Sequence, residues 1–328
     1  MERFAYASPE SRKEAVKLLA AEWGQTEVMA GGTDLISRMK DFVSTPRLVV
    51  SLKHIQDLNG VSLGRANALR IGAMTPLRVL VADDNVKRRY PAVFQAVDEI
   101  HSEQLHNMAT VGGSLLQRPR CWYFRLGYGL LAEQDGKSMP REGDNRYHAI
   151  LGNSGPACFV SPSTLAPALI ALNASAEALG PKGIRQFPVE KLFTTPSHAG
   201  EREHTLRPNE ILTEILIPAT SFKSAAYEIR QKEEMDWPLV TAAVALRMDG
   251  STVRHAQVVL GHVAPVPWVS PEAAKAIEGK TVNEETADAA GKAAVAQATP
   301  LSMNGYKVQL TRVAVKRAIL RAAGHGAV

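Results

Sequence analysis

Cysteine is scarce in this sequence, which contains only Cys121 and Cys158 among its 328 residues. Two thiols are too few for the disulfide framework of a small secreted protein, and fewer than the four ligands of a zinc or iron–sulfur site. Long apolar runs are also missing. None approaches the roughly 20 residues of a membrane-spanning helix, and the first residues lack the apolar core of a signal peptide. We therefore expect a cytoplasmic protein with reduced thiols.

Charge of one sign is not concentrated anywhere in the chain. The net charge is +5, hydrophobic residues make up 45% and charged residues 22%, and no block of lysines and arginines occurs. These values are ordinary for a globular protein of two or three domains. The scattered basic residues argue against nucleic-acid binding and only weakly favour an anionic ligand.

Motifs for acid–base or metal chemistry are lacking as well. The sequence has no Ser–His–Asp pattern, no HExxH and no pair of carboxylates that indicates catalysis. His101 and His106 are five positions apart, so they would not share a helix face as paired metal ligands do. His148 is predicted at the surface of a long loop, and Glu233 and Glu234 on a solvated face. A chain without evident acid–base groups suits a redox cofactor that brings its own reactivity.

Two glycine segments, Ala30–Leu35 and Thr110–Leu115, carry the most informative chemistry. Each offers a hydroxyl and unobstructed backbone amides where the chain is predicted to turn, and a pyrophosphate needs such donors. Strands predicted at 27–30 and 47–52 flank the first segment and a helix at 34–42, so their sheet is expected to be parallel. Two such segments in one fold suggest a dinucleotide held from two sides. For the first segment alone, a strand-to-helix turn that merely requires glycine is an equally good interpretation.

The first glycine segment matches neither of two common nucleotide fingerprints. It lacks the GxGxxG spacing of nicotinamide dinucleotide domains, and it lacks the lysine of a Walker loop. A nicotinamide-binding Rossmann domain and a P-loop nucleotide triphosphatase are therefore disfavoured.

The remaining patterns predict a mixed α and β protein with a domain boundary near 218–224. A helix is expected from Ser8, as its N-cap, to Trp23, and another is expected to begin with Thr75 as its cap. Residues 117–162 show little periodicity, and loops of this length are usually functional or interfacial. Further strands are predicted at 61–63, 69–73, 174–179, 184–187, 211–217, 225–232, 240–248 and 253–263. Further helices are predicted at 85–100 and 165–172, and from about 272, 284 and 303.

The two glycine segments, at this separation, resemble the FAD-binding medium subunit of the xanthine dehydrogenase and carbon monoxide dehydrogenase family. The stretch Leu165–Ala174 is similar to the family's sequence after the second segment. Val258–Pro265, together with Tyr306 and Lys307, resembles the family's C-terminal domain. The resemblance extends over nearly the whole chain.

This resemblance implies an α+β fold with a defined domain order. A two-subdomain FAD-binding domain of the PCMH type would cover 1–220, with subdomains at about 1–58 and 59–220 and an insertion at about 117–162. A smaller α+β C-terminal domain with an antiparallel sheet and helices would cover 221–328.

The resemblance also implies which residues bind the FAD. Residues Val28 to Leu35 would wrap the pyrophosphate, Thr110 to Leu115 would support the flavin side, and Thr164 and Asp236 would lie near the ring. Thr164 stands where the family often has an acid, and no residue is assigned to catalysis or to a metal. The implied FAD-binding residues are Val28, Met29, Ala30, Gly31, Gly32, Thr33, Asp34, Leu35, Thr110, Val111, Gly112, Gly113, Ser114, Leu115, Thr164 and Asp236.

Partners follow from the same resemblance. In the family, a large subunit carries the molybdenum cofactor that hydroxylates the substrate, and a small subunit with two 2Fe–2S clusters passes electrons onward. This chain would then be the electron-transfer subunit of a heterotrimeric molybdenum hydroxylase, whose FAD hands electrons to an external acceptor. A stand-alone flavin-dependent oxidase with its own substrate pocket is the alternative.

Residues 117–162 resemble the insertion of the aldehyde-oxidoreductase branch, where four cysteines hold a 4Fe–4S cluster. Cys121 and Cys158 look like the outer two of that set, and the inner two are missing. We expect the insertion without the cluster. Its basic character suits contact with a partner or an anionic acceptor. The arginines concerned are Arg118, Arg120, Arg125, Arg141 and Arg146.

Overall fold

The computed structural model of the protein describes residues 1–232 and 236–325, so Glu233 and Glu234 lie outside the described residues. The strands are β1 (Ala5–Ala7), β2 (Thr26–Met29), β3 (Leu48–Ser51), β4 (Val61–Leu63), β5 (Leu69–Gly72), β6 (Glu133–Gln134), β7 (Lys137–Ser138), β8 (Ser175–Gly180), β9 (Gly183–Pro188), β10 (Ile211–Ile217), β11 (Lys223–Ile229), β12 (Val240–Asp249), β13 (Thr252–Gly261) and β14 (Trp268–Val269). The helices are α1 (Arg12–Leu18), α2 (Leu35–Lys40), α3 (Leu77–Ala82), α4 (Asp84–Arg89), α5 (Pro91–Asp98), α6 (Glu103–Met108), α7 (Val111–Leu116), α8 (Trp122–Arg125), α9 (Met139–Glu142), α10 (Leu165–Ala171), α11 (Pro271–Ile277), α12 (Glu284–Ala294) and α13 (Tyr306–Ala323).

The N-terminal region is a small parallel sheet in the order β1-β3-β2. The predicted parallel pairing of β2 and β3 is confirmed, because the first glycine segment and α2 form the crossover between them. Sequence reasoning missed β1, whose three residues are too few to show a period-2 pattern.

A second sheet follows in the order β4-β5-β10-β8-β9, and all its described pairings are antiparallel. The predicted hairpin of β8 and β9 is confirmed. Every residue of α10 is buried, and α10 packs in one apolar core with residues of α3, α5 and the sheet. An all-apolar helix of this kind is stable only when it is surrounded, which explains its central position.

The C-terminal region is an antiparallel sheet in the order β11-β12-β13-β14 with α11, α12 and α13 on one face. The predicted hairpin of β12 and β13 turns at Gly250, whose φ of +58° is favourable only for residues such as glycine. On the opposite face of the sheet, Ala226, Ala243 and Ala245 share the core that contains α5 and α10. These small side chains allow helices of the N-terminal region to pack closely on the C-terminal sheet.

Several predicted helix boundaries are wrong for identifiable reasons. Ser11 caps α1, while the Ser8 hydroxyl contacts His54 at 3.1 Å. The Thr75 hydroxyl exchanges hydrogen bonds with the backbone of Gly60 and does not cap α3. The predicted helix 85–100 is two helices, since Pro91 has no amide proton to continue α4 and pushes Tyr90 out of helical geometry.

Residues 117–162, the predicted insertion, pack against the C-terminal region. Asn145 donates to Ser302 at 2.9 Å and accepts from the amide of Met303 at the same distance. Asn153 and Thr299 pair through side chains at 2.6 Å. The buried amine of Lys307 donates to the carbonyls of Tyr147 at 3.4 Å, His148 at 3.2 Å and His262 at 2.6 Å. The insertion therefore joins the two halves of the protein.

In the described part of the chain, no helix is both long enough and apolar enough to cross a membrane.

Candidate cofactor-binding site

The two glycine segments lie against each other at the junction of the first two sheets. A β-carbon on Gly31 would lie 1.6 Å from the carbonyl oxygen of Met108, just before the second segment. A β-carbon on Gly112 would lie 3.0 Å from the carbonyl oxygen of Ala73. These two glycines are therefore required by contacts between backbones, and not only by a ligand.

The first glycine segment presents free amide donors. Among the described residues, the amides of Gly31, Gly32 and Thr33 donate to no other protein group. Gly32 has a φ of +77°, which directs the chain away from a regular turn. Successive unpaired amides in such a turn form a concave anion site, so this segment suits a pyrophosphate.

The second glycine segment is not an open loop, because it forms the first turn of α7. The Thr110 hydroxyl caps this helix by accepting from the amide of Gly113 at 3.1 Å. A β-carbon on Gly113 would meet the Thr110 hydroxyl at 3.0 Å and the Ala30 side chain only at 3.8 Å. Gly113 thus keeps the space between the two segments clear.

Two cavities meet between the segments. The first cavity has a volume of about 150 Å³ and the second about 260 Å³, and Thr33, Gly113 and Gln117 line both. Of the predicted site residues, the first cavity is lined by Val28, Ala30, Gly31, Gly32, Thr33, Asp34, Leu35, Thr110, Gly112 and Gly113. The second is lined by Thr33, Gly113, Ser114, Thr164 and Asp236. Val111 and Leu115 are buried in the core, and neither they nor Met29 line these two cavities.

Asp34 is the centre of an arginine cluster. Its carboxylate lies 2.7 Å from Arg125, 3.2 Å from Arg120 and 3.2 Å from Arg38. Burial alone would raise the pKa of Asp34, but the attraction of these arginines outweighs it and lowers that pKa. Asp34 therefore holds the insertion against the first glycine segment.

Aromatic residues form a wall of the first cavity that sequence reasoning missed. Trp23 was predicted as the last turn of α1, but that helix ends at Leu18 and Trp23 lines the cavity. Its ring meets the ring of His204 edge-on, with centroids 5.5 Å apart, and the Arg202 guanidinium lies 4.5 Å from the Trp23 ring. Because Trp23 is far from Arg202 and His204 in the sequence, no local pattern could predict that these residues meet.

The second cavity reaches from the glycine segments to the C-terminal region. Thr164 and Asp236, both predicted from the resemblance, lie in its wall. Arg120 of the insertion and Trp237 also line it, and the guanidinium lies 4.4 Å from the centre of the indole. Glu228 and Arg230 line the same cavity and form an ion pair with each other.

A third cavity of about 270 Å³ shares Arg120, Asp236 and Trp237 with the second and extends to Cys121 and His148. The predicted surface position of His148 is wrong. Its ring is buried against Trp122 and Tyr123, and Nε2 lies 3.2 Å from the Cys121 sulfur. Hydrophobic packing of the insertion, which has no periodic signal, buries it.

Cys121 and His148 form a neutral pair. Burial raises the pKa of the Cys121 thiol to about 11 and lowers the pKa of His148 to about 4. Both cysteines are unpaired, and Cys158 is buried. Within residues 1–232 and 236–325, no group of three or more His, Cys, Asp or Glu side chains is placed to hold a metal ion.

Comparison with known proteins gives matches along almost the whole chain. The family model described as the FAD binding domain in molybdopterin dehydrogenase matches residues 2–220. The model described as the CO dehydrogenase flavoprotein C-terminal domain matches residues 225–322.

Among curated relatives, the chain is 32% identical over 281 residues to the aldehyde oxidoreductase FAD-binding subunit PaoB of Escherichia coli (strain K12). The aligned region covers 82% of this chain and 84% of that protein. It is 28% identical over 322 residues to the carbon monoxide dehydrogenase medium chain of Hydrogenophaga pseudoflava, which covers 97% and 96%. A solved structure of the Hydrogenophaga pseudoflava enzyme lacking the Mo-pyranopterin moiety of its molybdenum cofactor matches with a TM-score of 0.75 and 27% identity, covering 98% of this chain and 97% of that chain.

Proposed function

The chain belongs to the family of FAD-binding medium subunits of molybdenum hydroxylases, and from this premise we propose that it passes electrons from a partner's 2Fe–2S clusters to an external acceptor. It is an FAD-binding oxidoreductase subunit, as the sequence resemblance implied. The predicted α+β fold, with an FAD-binding domain followed by a C-terminal domain, is also confirmed. The direction of electron flow and the partners are parts of the proposal.

The joined first and second cavities are the observation that carries this proposal. The two cavities share Thr33, Gly113 and Gln117 in their walls, so these residues lie where the cavities meet. The unpaired amides of Gly31, Gly32 and Thr33 would hold the pyrophosphate there, because backbone donors bind phosphate oxygens without side chains in the way. The site therefore fits a ligand that is long and has its anionic part at the centre.

The second cavity would hold the flavin ring. Ser114 and Thr164 supply hydroxyls, Asp236 a carboxylate and Trp237 an apolar ring along its wall. Arg120 adds an unpaired buried donor, since its Nε has no hydrogen-bond partner among the described residues. Bound FAD supplies electron-transfer chemistry, and these residues orient it and tune its environment. The first cavity, with the rings of Trp23 and His204, would then receive the adenosine part.

We also propose that this chain assembles with two partner chains. Relatives named as a medium chain or an FAD-binding subunit favour an assembly in which other chains hold the molybdenum cofactor and the 2Fe–2S clusters. The insertion offers exposed apolar residues, with Leu126 72% and Tyr128 43% exposed, beside its basic residues. Because both cysteines are free thiols, we further propose that the assembly works in the reducing cytoplasm.

Affinity purification of the tagged full chain from its native cells tests the proposal. We expect two further chains to co-purify, one with molybdenum cofactor and one with 2Fe–2S clusters, and one FAD per copy of this chain. Removing the FAD is expected to stop reduction of a dye that accepts electrons at the flavin. A purified chain that carries no flavin and binds no added FAD would contradict the proposal.

A further inference from the structure

The wall of the second cavity contains a carboxylate that the proposed electron-transfer function does not yet use. Glu228, near the end of β11, lines the cavity and pairs with the Nε of Arg230. Arg230 also contacts the Glu99 carboxylate at 3.0 Å. Two carboxylates thus share one guanidinium at the junction between the C-terminal sheet and the chain after α5.

The side chains around this shared guanidinium differ widely in their exposure to solvent. The side chains of Glu228 and Arg230 are each 7% exposed, whereas that of Glu99 is 34% exposed and that of His101 is 48% exposed. His101 lies 3.8 Å from the Glu99 carboxylate and also lines the cavity. Arg230 therefore links the buried carboxyl of Glu228 to that of Glu99, and Glu99 in turn lies next to His101. Both Glu99 and His101 are more exposed to solvent than Glu228.

Burial disfavours the ionised form of Glu228 more than the neighbouring charges favour it. Among the described residues, the charged and titratable groups that face it or share its cavity include Arg230, Glu99, His101, Asp236 and Arg120. Burial raises the pKa of Glu228 to about 7, the negative charge of Glu99 acts in the same direction, and Arg230 opposes both. Glu228 is thus poised between its two protonation states at neutral pH.

We propose that Glu228 binds a proton when two electrons enter the flavin in the second cavity and releases it when they leave. The exchange balances simply: the carboxylate and a proton from solvent give the carboxylic acid, and the reverse reaction returns the proton. The electrons come from the partner and leave to the acceptor, so no further reactant is needed. This inference rests on the proposed function and adds a proton-coupling residue to it.

The sign follows from electrostatics at short range. A flavin that has taken up two electrons is more negative than the oxidised flavin, and a nearby negative charge disfavours a second one. Electron entry therefore makes Glu228 a stronger proton acceptor, and protonation of Glu228 in turn favours electron entry.

The number of protons bound per two electrons tests this inference directly. It is obtained from the pH dependence of the midpoint potential of the flavin in the FAD-loaded full chain. Because the flavin also exchanges protons of its own, the contribution of Glu228 is the excess of the wild-type number over that of Glu228→Gln. This excess is expected to reach up to one between about pH 7 and 9, where Glu228 is ionised beside oxidised flavin, and to vanish below about pH 6. Glu228→Gln keeps a hydrogen-bonding side chain beside Arg230 and is expected to lose this contribution.

Glu99→Gln is the matched variant, because it removes the other carboxylate on the same arginine. Loss of its negative charge lowers the pKa of Glu228, so the contribution of Glu228 is expected to persist and to move to lower pH. Equal proton numbers in wild type and Glu228→Gln at every pH from 6 to 9 would overturn the inference. FAD binding is measured in the same samples, and its absence would instead count against the proposed function.

Discussion

The guanidinium of Arg120 lies 4.4 Å from the centre of the Trp237 ring. The same guanidinium lies 3.2 Å from the carboxylate of Asp34. One side chain of the insertion therefore contacts both the first glycine segment and the C-terminal region. Burial lowers the pKa of Arg120 to about 10, which leaves it charged at neutral pH. The insertion thereby completes the wall of the cavity proposed for the flavin ring.

The space at Gly113 is predicted to decide whether FAD binds. Gly113→Val would fill the middle of the joined cavities and is expected to weaken FAD binding at least about tenfold, equivalent to about 1.4 kcal/mol. Titration of the purified chain with FAD, followed by flavin fluorescence, measures the affinity. The variant is expected to remain folded, because a β-carbon at this position meets two side-chain atoms, the Thr110 hydroxyl at 3.0 Å and the Ala30 β-carbon at 3.8 Å.

Gly155→Val is the control for that experiment. Gly155 has no atom within 4 Å of the β-carbon position and lines neither cavity, so FAD affinity is expected to stay at the wild-type value. Gly31→Ala would act differently, since its β-carbon collides with backbone and should destabilise the fold. Equal FAD affinities of Gly113→Val and wild type would refute the role assigned to Gly113.

Asp34 is predicted to stabilise the fold through its arginine cluster. Asp34→Asn would leave Arg38, Arg120 and Arg125 without their shared negative charge, so the free energy of unfolding at pH 7 should fall by about 3 kcal/mol. Urea unfolding measures this change. Asp249→Asn removes an exposed ion pair with Arg254 and should cost less than about 1 kcal/mol.

The contribution of Asp34 has a defined pH dependence. Its pKa is lower in the folded protein than the ordinary value of 3.8, so the stabilisation is present above that value and is lost as pH falls through the folded pKa. The difference in stability between wild type and Asp34→Asn should therefore be constant near neutrality and shrink in strong acid. A difference that grows in acid would contradict this assignment.

Lys307 is predicted to anchor the insertion. Lys307→Met removes the donor that serves the carbonyls of Tyr147, His148 and His262 and leaves buried acceptors unpaired, at a cost of about 1–3 kcal/mol. Amide hydrogen exchange should become faster in 145–153. Lys292→Met, which removes an exposed lysine from α12, should leave exchange there unchanged, and similar profiles for both variants would contradict the anchor.

Cys121 is predicted to be a slow nucleophile in the folded protein. Because burial raises its pKa from 9.0 to about 11, its thiolate fraction at pH 8 should be on the order of 100-fold lower than in the unfolded chain. Alkylation with iodoacetamide, followed by peptide mass spectrometry in the absence and presence of urea, measures the two rates. Equal rates would show that the thiol is not held in this buried state.

The local patterns that predicted the fold correctly are those that need no distant partner. The parallel unit around the first glycine segment, the hairpins at 175–188 and 240–261 and the apolar helix α10 all follow from periodicity and turn residues. Predicted caps failed at Ser8 and Thr75, where a hydroxyl bonds to His54 or Gly60 instead. A distant partner that wins such a hydrogen bond leaves no trace in the local sequence.

The sequence by itself determined the order of elements, the family and the FAD, because glycine segments and hydrophobic periods are written residue by residue. Only the tertiary structure decided where each residue of the predicted site lies and what it contacts. A β-carbon on Gly31 would collide with the backbone of Met108, whereas the absence of a side chain at Gly113 leaves the cavity open. The tertiary structure also buried Glu228 beside Arg230 in the cavity wall. Such roles depend on packing between residues far apart in the chain, and burial sets both the space and the electrostatic environment of each group.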